Sequence, residues 1–218
     1  PSGPVLLVAP THSRGLSAVE VLDAQWLRDL QAQFPVLNVL LKLHPHTQDY
    51  CPDQVLPYRQ AAALSERVVY IEDSGVNVHD LLPHTDILLT DVSSVALNYL
   101  HYDRPIIWVN NPGRFESDQF EPDGLVWAWR DMGREIEAQQ ELTDAVGEAL
   151  RAPEKHGERR RHYRQWRFGD FNDGRAAERI ARNVMTLIEP GEEDADKVRI
   201  MCNAVRAFAH SEREIGSL

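Results

Sequence analysis

The chain has 218 residues, a hydrophobic fraction of 43% and a formal net charge of −11. This length and hydrophobic content suit one ordinary globular domain with a normal core. The negative charge excludes a general electrostatic attraction for nucleic acid, so any anionic ligand has to be held by local donors. Cys51 and Cys202 are too few for a disulfide framework or a zinc site, and a reducing, cytoplasmic compartment is the default expectation.

No apolar run approaches the ~18 residues that a membrane-spanning helix needs, and no signal peptide is recognisable. Membrane association is therefore expected only as peripheral contact at the inner face of the cell membrane. The chain begins with Pro1, and its first predicted strand follows almost at once. This abrupt start predicts one half of a larger protein.

Short apolar runs alternate with helical patterns over the first part of the chain. The apolar runs predict strands at residues 5–9, 36–43, 68–71, 87–90, 106–109 and, with a weaker pattern, 125–129. After the first strand, apolar residues at helical spacing predict a helix over residues 16–33, with Ser17 as N-cap and Glu20 completing a capping box. Almost wholly apolar strands that alternate with helices predict an α/β fold, a Rossmann-like parallel sheet with helices on both faces.

The last third of the chain is purely helical in pattern. Helical patterns cover residues 141–150, a basic stretch that reaches Arg167, and residues 176–188. An acidic break then precedes a final helical pattern at residues 197–211. We therefore predict a nucleotide-diphosphate-binding domain over residues 1–188, followed by an acidic linker and helical tail over residues 189–218.

The basic stretch, residues 155–167, has two interpretations. Arginines interleaved with Tyr163 and Trp166 suit an anionic polymer or lipid headgroups. A solvated helix face with Glu154 and Glu158 nearby is the commoner explanation, and we favour it.

Polar loops should meet at one edge of the predicted sheet. In the common strand order 3-2-1-4-5-6, a ligand binds outside the carboxyl ends of strands one and four. The loop after strand one supplies donors from His12, Ser13 and Arg14. Gly15 follows them and permits close backbone approach. The loop after strand two presents His44 beside them.

The turn after strand four is the most informative motif. The sequence Thr90-Asp91-Val92-Ser93-Ser94 puts hydroxyls and free backbone N–H groups at a helix start, which favours a phosphate. Simple N-capping by Ser93 and Ser94 is the alternative, and a solvated surface loop explains His12 and Arg14 equally well. Convergence of three polar loops favours a pyrophosphate site. No His and carboxylate pair shows metal-ligand spacing, so neither a metal nor another cofactor is predicted.

Four motifs together resemble a known family. They are Ala9-Pro10-Thr11-His12, Lys42-Leu43-His44-Pro45, Thr90-Asp91-Val92-Ser93-Ser94 and Tyr102-Asp103-Arg104-Pro105-Ile106. In combination they are similar to the CDP-glycerol glycerophosphotransferases, the polymerases and primases of teichoic acid and of related capsule polymers. The likeness runs over about residues 4–188, nearly the whole chain.

The resemblance implies a fold and roles for particular residues. The family has the GT-B fold, two Rossmann-like halves that face each other across a cleft, and this chain matches the carboxyl half that binds the CDP part of the donor. His44 would lie near the donor pyrophosphate and act in catalysis. Ser93 and Ser94 would lie at the helix start that holds the phosphates, with Thr90 and Asp91 shaping the turn.

The implied reaction moves glycerophosphate, or a related group, from a CDP-activated donor to an acceptor hydroxyl of an anionic cell-wall or capsule polymer. In the family the amino half carries a His-Gly motif whose histidine is assigned as the base. The only His-Gly here, His156-Gly157, does not match it, so we expect little or no turnover from this chain alone. Asn98 is a second departure, since many relatives have an acidic residue there.

Two alternatives stay open. The same scaffold serves UDP-sugar glycosyltransferases and nucleotide-sugar epimerases, and a non-catalytic nucleotide-binding module fits the sequence as well. Titration with CDP, UDP and GDP discriminates the first alternative. The length of the native open reading frame discriminates the second.

Overall fold

The computed structural model describes residues 2–50, 52–171 and 173–187. At its centre lies a six-stranded sheet in the order β3-β2-β1-β4-β5-β6, with every pair parallel. The strands are β1 Val5–Val8, β2 Asn38–Leu41, β3 Val68–Tyr70, β4 Ile87–Thr90, β5 Ile106–Val109 and β6 Arg134–Ile136. The predicted strand order is confirmed, and it puts the topological switch point between β1 and β4.

The register brings the carboxyl ends of the central strands to one level. Val8 of β1 lies opposite Leu41 of β2 and Leu89 of β4. The loops that follow these three strands therefore leave the sheet side by side. This is the physical reason why residues far apart in the sequence build one cleft.

Helices connect the strands and follow the sheet. They are α1 Gln25–Gln33, α2 Pro45–Tyr50, α3 Pro52–Ala62, α4 Val78–Leu81, α5 Val95–Tyr99, α6 Leu125–Ala128, α7 Leu142–Arg151, α8 Gly157–Phe168 and α9 Ala176–Leu187.

Successive strand residues enter opposite layers of the core, as the two-residue period of a strand requires. Leu6 and Val8 belong to the larger hydrophobic cluster, with Trp26 of α1 and Val146 of α7. Leu7 is fully buried and lies outside that cluster. The helix α7 contacts β4, β5 and β6, and α5 contacts β4. Helices cover both faces of the sheet, as predicted.

The predicted strand at residues 125–129 is wrong. Leu125–Ala128 forms the short helix α6, and the sixth strand is Arg134–Ile136. This strand lies at the edge of the sheet, and only Ile136 of its residues is buried. Such a strand has almost no apolar signal, whereas the Leu-Val-Trp segment before it does.

The predicted helix at residues 16–33 is interrupted. Its first part is a single 3-10 turn, Ala18–Glu20, and the regular helix begins only at Gln25. The Asp23 carboxylate accepts a hydrogen bond from the Gln25 N–H at 2.8 Å. This side-chain bond starts the second part as a separate helix.

The predicted cap at Ser17 is confirmed, and the capping box is not. The Ser17 side chain accepts a hydrogen bond from the Val19 N–H. A complete box would require Glu20 to accept from the Ser17 N–H. That N–H donates to the Ser13 carbonyl at 3.0 Å, and the Glu20 carboxylate accepts from the Gly15 N–H at 2.8 Å.

The chain divides into two compact units, Pro1–Trp166 and Arg167–Leu218. In the described part of the second unit, Arg175 pairs with Glu178 at 2.8 Å at the start of α9. The predicted linker and tail, residues 189–218, lie outside the described residues, so the boundary at residue 188 stays a prediction. Over the part of the chain that the structure describes, no helix is both long and apolar enough to cross a membrane.

Candidate functional site

A cleft of about 340 Å³ opens at the carboxyl edge of the sheet. The loops that follow β1, β2, β3 and β4 all contribute to its walls. Its lining residues are Ala9, Pro10, Lys42, Leu43, His44, Pro45, Ser74, Gly75, Val76, Asn77, Val78, Ser93 and Val95. The predicted convergence of the loops after β1, β2 and β4 is therefore present, and the loop after β3 is an addition that sequence reasoning missed.

Three histidines lie together beside the cleft, and of these His44 is the one that lines it, whereas His12 and His46 do not. The ring of His44, which lines the cleft, stacks on that of His12 with centroids 4.1 Å apart. The His46 ring lies 5.1 Å from His44 and 5.0 Å from His12. The structure thus brings together two residues, His12 and His44, that the sequence placed on separate loops.

The protonation of His44 follows from its surroundings. Burial lowers its pKa, and electrostatic repulsion involving His12, His46 and Lys42 lowers it further. Its Nδ1 accepts the backbone N–H of His46 at 3.2 Å. In the neutral ring the proton is therefore assigned to Nε2. Without a ligand, His44 at neutral pH is therefore a hydrogen-bond donor at Nε2 rather than a cation.

Lys42 is a buried cation at the cleft. The residue is 7% exposed, and its Nζ donates to the backbone carbonyl of Asp73 at 2.7 Å. Among the described residues no carboxylate pairs with Lys42. A buried charge without a counter-charge is costly, and an anionic ligand would supply one. Sequence reasoning used Lys42 only as part of a motif, although Lys42 and His44 stand two residues apart, on one side of an extended chain.

Thr90 and Asp91 hold the turn after β4 to the loop after β1. The Thr90 hydroxyl donates to the Ala9 carbonyl at 2.7 Å. The Asp91 carboxylate accepts from the N–H groups of Thr11 at 2.9 Å and Ala18 at 2.8 Å. Both side chains are fully buried, and neither lines the cleft. Their role in this structure is to shape the turn.

Burial raises the pKa of Asp91 to about 6. Hydrogen bonds from the N–H groups of Ala18, Thr11 and Val92, and then the charge of Arg130, oppose that rise. The ionised form is thus held by donors on several sides, although the position is wholly removed from water.

Ser93 and Ser94 differ in position. Ser93 lines the cleft, and its hydroxyl accepts the Val95 N–H at 3.4 Å. Ser94 is exposed at the N-cap position of α5 and forms no side-chain cap bond. Because α5 has only 5 residues, its dipole adds little. Of the two serines, Ser93 is therefore the one that lines the cleft and can offer it a hydroxyl.

The rest of the loop after β1 turns away from the cleft. The Ser13 carbonyl accepts the N–H of Leu16 at 3.1 Å, and the exposed Arg14 accepts at its carbonyl from the Ser117 hydroxyl at 3.5 Å. Gly15 has φ +73°, a left-handed backbone conformation that favours glycine, and it lies beside Gly113. Neither Ser13 nor Arg14 lines the cleft.

Arg130 was not recognised from the sequence. It begins the 3-10 turn Arg130–Met132, is 4% exposed, and donates from Nη2 to the Asp91 carbonyl at 3.0 Å. An arginine in a polar segment between two short elements carries no signal of burial. Its aromatic neighbours Trp108 and Trp127 come from separate elements, so only the fold brings them together.

The basic stretch is held largely by ion pairs. Arg160 and Arg161 pair with Asp103 at 3.0 and 3.1 Å, and the Arg160 side chain is 1% exposed. Arg160 therefore lies in the interior of the domain rather than on the solvated helix face that we favoured, and contact of this stretch with an anionic polymer or lipid headgroups stays an alternative. Over the described residues, no group of three or more His, Cys, Asp or Glu side chains is arranged to hold a metal ion.

The sheet order and the position of the cleft define the class of protein: a Rossmann-like α/β domain that matches one half of a GT-B fold. The wall teichoic acid polymerase TagF is similar in structure, with a TM-score of 0.60 and 18% identity over 87% of this chain and 46% of that chain. A UDP-GlcNAc 2-epimerase from Neisseria meningitidis, solved with UDP-GlcNAc bound, gives 0.55 and 13% over 84% and 44%. The C-terminal CMP-Kdo binding domain of WaaA from Acinetobacter baumannii gives 0.52 and 12% over 74% and 89%.

The family itself is shown by sequence. A family model described as CDP-Glycerol:Poly(glycerophosphate) glycerophosphotransferase matches residues 1–186. The chain belongs to this family, which confirms the resemblance drawn from its motifs. No match was found among curated protein sequences. The chain spans less than half of the length of the TagF and epimerase structures.

Proposed function

We propose that the cleft binds the diphosphate of a CDP-activated alcohol, of which CDP-glycerol is the family example, and that the domain serves transfer of the glycerophosphate group. The single observation that carries this proposal is the set of donors at the carboxyl edge. Lys42, His44 and Ser93 reach one cleft from two strands that flank β1. In a chain of net charge −11, this is the local supply of donors that an anionic ligand requires.

Each donor has a distinct role in the proposed complex. Lys42 brings the positive charge. Within the part of the chain that the structure describes it has no carboxylate partner, so a bound phosphate supplies its counter-charge. His44, neutral with its proton on Nε2, donates a hydrogen bond without adding a second charge. The Ser93 hydroxyl donates from the opposite wall. Fixed donors of this kind stabilise charge that develops on a leaving phosphate.

In the proposed reaction an acceptor hydroxyl attacks the β-phosphorus of the donor. The bond between that phosphorus and the bridging oxygen breaks, and CMP leaves with the electron pair. The hydroxyl proton passes to a general base, which the family resemblance assigns to the amino half. Positioning of the reactants in line and neutralisation of the leaving phosphate are the main catalytic demands.

Calorimetric titration with CDP, UDP and GDP tests the donor class. We expect CDP to bind most tightly, and His44→Ala to weaken CDP binding about tenfold or more, because a donor to a charged phosphate is lost. His84→Ala is the matched control, since His84 is exposed and precedes β4, at the amino end of the strand and not at the carboxyl end where the cleft lies. A clear preference for UDP would instead support the sugar-nucleotide alternative. Binding of none of the three by the wild-type chain would overturn the proposal.

Release of CMP tests the transfer step. The chain is incubated with CDP-glycerol and a poly(glycerol phosphate) acceptor, alone and together with the remainder of the native protein where the gene encodes one. CMP that appears only with acceptor present supports transfer. Tight CDP binding without CMP release under either condition would favour the non-catalytic module.

A further inference from the structure

The buried Arg130 side chain contacts the turn that follows β4. Its Nη2 donates to the Asp91 carbonyl at 3.0 Å. Its guanidinium lies 4.0 Å from the ring centroid of Trp127 and 4.8 Å from that of Trp108. Contact with two aromatic rings restricts the movement of the guanidinium, and with it the direction of the Nη2 donor.

Asp91 passes this constraint to a second loop. Its carbonyl accepts from Arg130, while its carboxylate accepts from the N–H groups of Thr11 and Ala18. Thr11 directly precedes His12, which stacks on His44. One residue thus connects Arg130 to both the Ser93 wall and the histidine wall of the cleft.

The position is an expensive one for an arginine. Burial lowers the pKa of Arg130 to about 10, with Glu135 and then Asp91 opposing the fall. Its Nη1 lies 3.9 Å from the half-exposed Glu135 carboxylate, and neither Nη1 nor Nε has a hydrogen-bond partner among the described residues. Unbonded buried donors cost stability. An unbranched apolar side chain would fill the space between the tryptophans without that cost.

We propose that Arg130 is a positioning residue for the phosphate site: it fixes the Asp91 turn and, through Asp91, the loop that carries His12. This inference rests on the proposed function for its consequence, but its structural claim does not require a ligand. The site would take the diphosphate of a nucleotide in one geometry only while Arg130 holds both loops.

The test compares Arg130→Met, which keeps the packing volume, with Arg130→Lys, which keeps the charge. Arg134→Met is the matched control, because Arg134 lies on β6 and pairs with Glu148 at 3.2 Å. Amide hydrogen exchange of Thr11 and Ala18 is measured without ligand, beside the global free energy of unfolding. We expect R130M to speed exchange at these two amides by about tenfold or more beyond any global change, with R130K intermediate and R134M unchanged.

Nucleotide binding gives the second readout. The ratio of the Kd for CMP to the Kd for CDP reports the contribution of the second phosphate, and a general loss of stability does not move it. We expect R130M to lower this ratio about tenfold, since small misplacement of donors is costly, and R134M to keep it within about twofold.

Unchanged exchange at Thr11 and Ala18 in R130M would overturn the inference, whatever the nucleotide results. Changed exchange with an unchanged CMP-to-CDP ratio would overturn the link to phosphate binding. If the wild-type chain binds no nucleotide, the proposed function fails, and the exchange experiment still decides whether Arg130 positions the loops. If R130M does not fold, R130K carries both measurements.

Discussion

Lys42 and His44, in the loop after β2, show that the role of a residue depends on its neighbours in the fold as well as on its type. The motif predicts His44 near the phosphates of a donor. In the structure His44 lines the cleft, and so does Lys42. The hydrogen-bond partner of Lys42, the backbone carbonyl of Asp73, could not be predicted from the sequence. Contacts to backbone atoms of a distant loop have no sequence pattern, so Lys42 could be recognised as a buried cation only in the fold.

Ser13 and Arg14 illustrate the opposite outcome. Both were predicted beside the phosphates because they follow β1, and the loop turns toward Gly113 instead. A loop's starting point follows from the strand order, but its later path depends on which neighbouring loop it packs against. Their predicted role in phosphate binding stays a prediction, with less geometric support than that of His44 or Ser93.

Asp91 leads to a prediction about pH. Its folded pKa of about 6 lies above the ordinary value of 3.8. Between pH 3.8 and about 6, the carboxyl therefore keeps a proton in the native state that it has lost in the unfolded state. The stability that Asp91 contributes is therefore full below pH 3.8 and lost as pH rises through about 6. At about 1.4 kcal/mol per pH unit, this corresponds to a fall on the order of 3 kcal/mol.

Chemical unfolding of the wild type and of Asp91→Asn across pH 4 to 7 measures that effect. The free energy of unfolding of the wild type, relative to D91N, should fall as the pH rises. The comparison removes the contribution of other carboxylates, because both proteins carry them. A difference that stays constant with pH would contradict the raised pKa.

At the scale of elements, Gly133 shows how closely the segment before β6 approaches its neighbour. A Cβ atom at this position would lie 2.4 Å from the Ile106 carbonyl oxygen and 2.9 Å from Trp108 Nε1. Gly133 is extended, with φ −150°, so the requirement for glycine is space rather than backbone strain.

Gly133→Ala should therefore destabilise the protein by about 2 kcal/mol, because backbone and a buried tryptophan cannot move aside easily. Gly157→Ala is the matched control: the three atoms nearest to its Cβ would be the ends of the flexible Arg161 and Glu154 side chains. Thermal or denaturant unfolding measures both variants. Equal stability of G133A and the wild type would show that the sheet edge relaxes freely.

The elements also show where sequence periodicity is sufficient. The central strands β1, β4 and β5 are apolar and buried on both faces, and their sequence runs predicted them almost to the residue. The edge strand β6 has one buried residue and could not be recognised. The break in the helix after Ser17 was also missed, because it depends on the Asp23 side chain and not on apolar spacing.

For the molecule as a whole, the strand order was predicted from the alternation of strands and helices and from the order that is common in such sheets. That order, with the register at Val8, is what makes the cleft. The histidine stacking and the Arg130 contact arise from non-local packing, which a single sequence does not specify. Family membership and architecture could therefore be predicted, while the positions of individual donors could not.

The division of the chain into two units predicts how much of the chain is needed to form the cleft. Every residue that lines the cleft, together with Asp91 and Arg130, belongs to the unit Pro1–Trp166. The residues of α8 up to Trp166 belong to the same unit and are needed, because Arg160 pairs with Asp103 at 3.0 Å. A chain that ends at Gly169 should therefore fold and bind CDP within about twofold of the full chain.

A chain that ends at Arg151 is the informative contrast. It removes α8, so Asp103 loses its buried partner Arg160, and Trp129 loses the ring of Tyr163 that stacks on it at 4.6 Å. Loss of this partly buried ion pair and of the aromatic packing should cost on the order of 3 kcal/mol, a large share of a domain's total stability. We expect this chain to be much less stable in chemical unfolding, whereas the chain ending at Gly169 keeps its midpoint. If removal of residues 170–218 alone abolished CDP binding by calorimetry, the second unit would have to contribute to the site, contrary to the position of every donor identified in the cleft.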